Sequence, residues 1–312
     1  MAMNMMNAAV IDRAGGPEEL HIASVPRPEP GLTEILVRVH AAGVNPVDWK
    51  VRAERGPGYP LILGWDVAGV VSAAGEGVTI YRPGDEVYGM PLFPRFPGGY
   101  AEYVVAPARH FAPKPPALSF TEAAALPLAA LTAWQGLVDT AGLRAGQRVL
   151  IHAAGGGVGH LAVQIAKHLG AYVIGTASTG KVGFVRGLGA DEVIDYTTTD
   201  FVSAAGQVDV ALDPVAGDYG LRTLQVIRDG GQLVSILDVP EDALKAAAAR
   251  GISAGFTLVE PDRLALSVIT DLVNSGALRP VVDSVFPLER AADAHRYGES
   301  GHTAGKIVLT VG

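Results

Sequence analysis

Cysteine is missing altogether from the 312 residues. This excludes disulfides, a catalytic thiol and every zinc site built with thiolates, while leaving the redox compartment open. Positive charge is scarce as well: 24 Lys and Arg stand against 32 Asp and Glu, a formal charge of −8. Broad attraction to nucleic acid or to anionic membranes is therefore not expected, and any anion site must be local. Long apolar runs are lacking. The most apolar window, "AAALPLAALTAWQGLV", is interrupted by Pro127, Thr132 and Gln135, and falls short of the roughly 20 apolar residues of a membrane span. A buried helix is expected there. The amino-terminal "MAMNMMNAAV" has neither a basic segment nor a long apolar core, so it does not read as a signal peptide, and a cytoplasmic location is expected. No pair among the eight histidines has HExxH spacing, and there is no internal repeat or low-complexity tail.

What is present is core material. Hydrophobic residues make up 49% of the chain and charged ones 18%, enough for two domains. Up to about Ala106 the chain offers short β-rich runs, "ILVRVH", "VAGVVSA", "EVYGM" and "AEYVV", separated by Gly and Pro clusters. Prolines in "APKPPALSFTEAAALP" then end the β part, and Ser119 with Glu122 forms a capping box before an alanine-rich helix. From Arg148 to about Val259, apolar strands ("RVLIHAA", "AYVIGTA", "EVID", "VDVALD", "QLVSIL", "GFTLVE") alternate with helical stretches. That alternation predicts βαβ units and a parallel sheet covered on both faces. A last helix, "RLALSVITDLVNSGAL", and strand, "GKIVLTV", add little to that sheet and are expected to return to the first domain. The division expected is residues 1–122 with 263–312, and residues 123–262.

The run "VLIHAAGGGVGHLAVQIAKHLGA" joins an apolar strand, a glycine turn and a helix whose apolar residues Val158, Leu161, Ala162, Ile165 and Leu169 have helical spacing. A second strand follows Gly170, which completes the context of a dinucleotide fingerprint. The turn aligns as Ala154-x-Gly156-x-x-Gly159, with alanine in place of the first glycine. Its glycines allow close backbone approach to a pyrophosphate at the helix N-terminus. In NAD sites an Asp or Glu about 20 residues on takes the ribose hydroxyls. Here Thr176, Ala177, Ser178 and Thr179 occupy that region, no carboxylate precedes Asp191, and Lys181 adds a cation. The pattern favours a 2′-phosphate, and so NADP(H). "GTASTGKV" also approaches a Walker A loop, but Val182 stands where the motif needs a hydroxyl for Mg²⁺.

These motifs, with "LPLAALTAWQGL", "LGADEVIDY" and the closing "GKIVL", resemble the medium-chain dehydrogenase/reductase superfamily over nearly the whole length, and within it the zinc-independent quinone oxidoreductases. The resemblance implies an α/β chain: a GroES-like, mostly β catalytic domain, discontinuous in sequence, beside a doubly wound Rossmann domain, with the active site in the cleft between them. It implies a homodimer joined through edge strands of the Rossmann domain. It also implies NADPH-dependent reduction of a small-molecule quinone or enone, with enoyl-thioester reduction and a non-catalytic NADPH-binding protein as alternatives.

Zinc-dependent relatives keep a cysteine in the loop matching "GVNPVD", a histidine and a glutamate in the segment matching "LGWDVAG", and a further ligand near "LPL". This chain has Asn45, Trp65, Asp66 and Leu128 in those regions, so no metal site is expected. The resemblance carries Gly155, Gly156, Gly157 and Val158 to the pyrophosphate. It carries Ser178, Lys181 and Tyr196 to the 2′-phosphate, the segments near Leu237 and Phe256 to the nicotinamide, and Thr132 to its vicinity. It places the loop of Asn45 and Asp48 at the cleft, where Asn45 would donate its amide N–H to the acceptor's carbonyl and Asp48 would orient the loop and ribose. A second reading has the pair capping a turn before "WKVR". Some quinone oxidoreductases carry a tyrosine shortly after this Asp, where Trp49 and Lys50 stand here; Tyr59 is the substitute candidate for proton donor. Phe93 and Phe96 are candidates to line an acceptor pocket, and Asp213 is expected to end a strand without assigned chemistry.

Overall fold

The computed structural model describes residues 4–54, 58, 60–95 and 98–312. The chain divides into two compact units: Met1–Leu131 with Glu260–Gly276 and Pro280–Gly312, and Thr132–Val259 with Ala277–Arg279.

The first unit is built on antiparallel strands. These are β1 (Met5–Ile11), β2 (His21–Pro26), β3 (Glu34–Val44), β4 (Leu61–Ile62), β5 (Asp66–Ala74), β6 (Glu86–Gly89), β7 (Tyr103–Pro107) and β8 (Phe111–Pro113). The second unit holds β9 (Arg148–Ile151), β10 (Tyr172–Ala177), β11 (Glu192–Asp195), β12 (Val208–Asp213), β13 (Ile227–Ser235) and β14 (Ser253–Phe256). The chain then supplies β15 (Val282–Pro287) and β16 (Lys306–Thr310) to the first unit.

In the first unit one sheet runs β15-β16-β3-β5-β6-β8, with β7 also paired to β3, and a small sheet runs β2-β1-β4. β7 alternates buried and half-buried residues, as a strand with one wetter face should. Ile35, Val37, Val67, Val87, Tyr100, Phe111, Ile307 and Leu309 belong to the core that this sheet packs around. The Ser119–Glu122 capping box is present, Glu122 N–H donating to Ser119 Oγ at 3.2 Å and Ser119 N–H to Glu122 Oε2 at 2.9 Å.

The second unit is a six-stranded parallel sheet in the order β11-β10-β9-β12-β13-β14. Its central strands are buried nearly end to end, Val149, Leu150 and Ile151 in β9 and Val210, Ala211 and Leu212 in β12. That pattern follows from helices on both faces. β14 ends at Phe256, earlier than the run "GFTLVE" implies, because its partner β13 ends at Ser235, which pairs with Phe256. The strand order reverses direction between β9 and β12, so the crevice at their carboxyl ends is the topological switch point where such sheets take ligands. No helix among the described residues is long and apolar enough to cross a membrane.

Candidate functional site

Residues 152–158 carry the chain from β9 to the helix Gly159–His168. Ala153 holds φ at +45°, and Gly156 N–H closes back on the Ala153 carbonyl at 2.8 Å. A Cβ on Gly159 would lie 2.2 Å from that same carbonyl, so only glycine lets the helix start this close to the strand. Ala154, standing for the first glycine, is buried and donates its N–H to Thr176 O at 2.9 Å. Beneath the turn, His152 pairs with Thr223 Oγ1 at 2.9 Å and Thr176 Oγ1 at 3.3 Å and lies edge-on to Phe201 and Tyr219. Burial, and then the Arg222 charge, push its pKa down to about 3. It is a neutral strut for the turn.

At the end of β10, Ser178 opens a single 3₁₀ turn, and Lys181 N–H donates to Ser178 O at 2.8 Å. The Lys181 side chain lies against the glycine turn: a Cβ on Gly155 would meet Lys181 Cδ at 3.2 Å. Tyr196 follows β11, its N–H bonded to Ala177 O at 3.1 Å and its side chain half exposed. The structure therefore gathers Gly155, Ser178, Lys181 and Tyr196 at one corner of the sheet's carboxyl edge. Leu237 N–H bonds Ser235 Oγ at 3.2 Å just beyond β13, and Phe256 ends β14 half exposed, on the same edge toward its other side.

That corner also holds a carboxylate that reading along the chain missed. Asp195 pairs laterally with Ala177 in the β10–β11 register and accepts the Thr179 hydroxyl at 2.6 Å and the Thr197 hydroxyl at 2.6 Å. These bonds hold Asp195 below the usual carboxylate range. Thr179, Val182, Arg186, Asp195 and Thr199 border an open hollow of about 460 Å³. At the switch point, Asp213 accepts Val215 N–H and Ala216 N–H through one oxygen, at 2.8 and 3.1 Å, while its other oxygen is buried without a hydrogen-bond partner. Burial raises its pKa.

The first unit gathers Asn45, Asp48, Asp66 and Lys306 in its interior. Asn45 precedes the helix Pro46–Ala53, whose first turn Asp48 caps by accepting Asn45 N–H at 2.6 Å. The other Asp48 oxygen accepts Gly64 N–H at 3.0 Å. Gly64 holds φ at +92°, and a Cβ there would strike the Tyr100 ring at 2.3 Å. Burial pushes Asp48 up to about 7, opposed by the Asn45 N–H. The Asn45 amide is itself oriented, Nδ2–H donating to Asp66 Oδ2 at 2.8 Å and Oδ1 accepting from Lys306 Nζ. Lys306 also donates to Val44 O at 3.1 Å, and Asp66 Oδ1 accepts Leu128 N–H at 2.6 Å. Sequence reasoning missed Lys306 because a lysine in "GKIVLTV" reads as a strand-edge charge. Thr132 is buried in the helix Pro127–Trp134. Phe93 lies edge-on to buried Trp65 at 5.6 Å, whose indole N–H donates to Arg95 O at 2.8 Å. Tyr59 and Phe96 lie outside the described residues.

The donor set does not fit tetrahedral zinc. Asn45 offers only a carbonyl oxygen, which an ammonium occupies; Trp65 has no lone pair to give; Asp66 is surrounded by three donors, one of them cationic. Among the described residues no group of three His, Cys, Asp or Glu could hold a metal ion.

Residues 31–116 match the alcohol dehydrogenase GroES-like domain family, and residues 188–309 the family described as zinc-binding dehydrogenase. The chain belongs to the medium-chain dehydrogenase/reductase superfamily, among its quinone oxidoreductase-like members, and is an oxidoreductase. It is 37% identical to an NADPH-dependent alkenal/one oxidoreductase of Arabidopsis thaliana, over 97% of this chain and 79% of that one. It is 39% identical to a spectinabilin polyketide synthase system protein of Streptomyces orinoci over 96% of its own length, which spans 14% of that protein. The solved structure of the quinone oxidoreductase from Coxiella burnetii superimposes with a TM-score of 0.92 at 36% identity, over 99% of this chain and 100% of that one.

Proposed function

We propose that the protein is a zinc-free, NADPH-dependent reductase of quinones or α,β-unsaturated carbonyl compounds. The observation that carries the reading is the buried Asn45–Asp66–Lys306 cluster, standing where zinc-dependent relatives keep metal ligands. Oxidising a simple alcohol calls for a strong Lewis acid or base at the oxygen, and this cluster supplies neither. It supplies a polarised amide. With Oδ1 on an ammonium and one Nδ2–H on a carboxylate, the amide plane of Asn45 is fixed, and its second N–H is a preorganised donor for an oxygen that gains negative charge. Asp48 accepts hydrogen bonds and orients the loop rather than acting as an acid. The proton comes from solvent or from a hydroxyl, with Thr132 and Tyr59 as the candidates.

The cofactor corner fits NADPH. Gly155, Gly156, Gly157 and Val158 would hold the pyrophosphate, Ser178, Lys181 and Tyr196 the 2′-phosphate, and the backbone near Leu237 and Phe256 the nicotinamide. The bound cofactor supplies the hydride. Lys181 beside Gly155 brings a cation to the phosphates, and Asp195 opposes it, so the preference for NADPH over NADH is a balance between the two. A homodimer joined along the open edge of β14, where Phe256 and Leu258 are exposed, and a cytoplasmic location complete the proposal.

The likeness to a polyketide synthase segment favours a second reading, reduction of an enoyl thioester. Turnover of NADPH and NADH with a panel of quinones, enones and enoyl-CoA esters tests both. Oxidation of NADPH by quinones or enones supports the first, oxidation by enoyl-CoA esters alone replaces it with the second, and cofactor binding without turnover on any acceptor removes both.

A further inference from the structure

A carboxylate at the end of the second strand of a dinucleotide fold accepts the ribose hydroxyls of NADH and repels a 2′-phosphate. Asp195 brings such a group level with Ala177, the last residue of β10, in the corner that also holds Ser178, Lys181 and Tyr196. What surrounds the carboxylate shows how the two can coexist. Thr179 Oγ1 donates to Asp195 Oδ2 at 2.6 Å. Thr197 donates to Oδ1 twice, from its hydroxyl at 2.6 Å and from its backbone N–H at 3.0 Å. The turn carrying the acid is fixed as well. Thr198 and Thr199 N–H close on the Asp195 carbonyl at 3.2 and 2.9 Å, and Tyr196 N–H bonds Ala177 O across the strands.

The protons can be counted. A carboxylate only accepts, through about four lone-pair positions, and here three donors fill most of them. Each threonine has one hydroxyl proton and gives it to Asp195. The two hydroxyl oxygens lie 2.9 Å apart with no proton left for each other, so in this arrangement Thr179 has none to offer a phosphate either. Its hydroxyl serves the carboxylate, and Ser178, Lys181 and Tyr196 remain as the phosphate's donors. Arg186, bordering the same hollow as Thr179 and Asp195, adds positive charge.

We propose that Thr179 and Thr197 are specificity-determining residues for the cofactor. By engaging both oxygens of Asp195 they withhold the acid from the adenosine ribose, and so let a 2′-phosphate enter a corner that would otherwise favour NADH. This deepens the reading of the corner as the 2′-phosphate site and rests on it.

Adenosine fragments isolate the corner, because 2′,5′-ADP and 5′-AMP differ only by the 2′-phosphate. Their Kd values on the full chain, from calorimetry or ligand-observed NMR, are expected to favour 2′,5′-ADP in the wild type. Combining Thr179→Val with Thr197→Val should lower that preference about two- to fivefold, the scale of an exposed charge effect. Combining Thr179→Ser with Thr197→Ser, which keeps both hydroxyls, should hold the wild-type ratio. In an Asp195→Asn background the valine pair should no longer move it, since the charge it releases is gone. A wild-type ratio in the valine pair, or the same fall in the Asp195→Asn background, overturns the proposal.

A second measurement needs no nucleotide. Followed by ¹³C NMR, the Asp195 carboxyl should titrate at higher pH in the valine pair, which has lost two donors to its ionised form. An unmoved titration overturns the engagement of the acid. Equal binding of the two fragments by the wild type overturns the 2′-phosphate reading and the specificity role with it, while the titration separately decides the threonine contacts. If the paired variant does not fold, Thr179→Val alone decides, with the same signs expected.

Discussion

Lys306 Nζ lies 3.3 Å from Asp66 Oδ2, and both side chains are buried. Each charge there has lost its water and depends on the other and on the Asn45 amide between them. Lys306→Met leaves the carboxylate uncompensated and should destabilise the fold by about 3 to 5 kcal/mol. The double variant Lys306→Met with Asp66→Asn removes both charges and should cost clearly less than the lysine change alone. Denaturant unfolding of the four proteins of the cycle measures the coupling.

Lys181→Ala removes the cation beside the glycine turn. Loss of a charge-assisted hydrogen bond worth about 1.5 to 3 kcal/mol should weaken NADPH binding roughly 10- to 100-fold and leave NADH nearly unchanged. Equal weakening of both, read by fluorescence titration, would contradict the 2′-phosphate assignment.

Asp195→Asn keeps one acceptor oxygen, places an amide N–H₂ that can donate to the other threonine hydroxyl, and removes the negative charge that Thr179 and Thr197 share. Because Asp195 is solvent-accessible, the effect is modest: about a two- to fivefold gain in NADPH affinity, with NADH little affected. The ratio of the two KM values reports it.

His152 sets a pH dependence in the second unit. Its folded pKa, near 3, lies below the value of about 6.5 in the unfolded chain. Between these values the unfolded chain binds the extra proton. The contribution of a neutral His152 is therefore present above pH 6.5 and lost as pH falls toward 3. Relative to His152→Gln, the wild type should lose up to about 1.4 kcal/mol per pH unit between pH 6 and 4. Denaturation midpoints of the two proteins across that range should converge or cross, and parallel lines would show that the ring is already charged in the fold.

The sequence and the structure agree where periodicity and glycine chemistry speak. The alternation of apolar strands and helices after Arg148 anticipates the parallel sheet, and "AAGGGVGH" anticipates the turn, because a strand buried on both faces and a helix starting against a strand each demand particular residues. What stayed hidden depends on lateral neighbours. Asp195 reaches Thr179 across the β10–β11 register, not along the chain. Lys306 meets Asn45 and Asp66 only once β16 pairs with β3. His295 and Tyr100 are 195 residues apart in sequence and become partners through packing alone. Asn45 shows the limit from the other side: the sequence displays the amide, whereas the bonds that orient it come from Asp66 and Lys306, distant along the chain.

In the proposed function, hydride passes from the nicotinamide to a conjugated acceptor without a metal. Incubation with NADPH carrying deuterium at the transferred C4 position, an α,β-unsaturated ketone and a strong zinc chelator tests it directly. The expected product is a saturated ketone with deuterium on its β-carbon and a solvent proton on its α-carbon, formed at a rate the chelator does not change. A product without the label, or a reaction that stops when zinc is withdrawn, would contradict it.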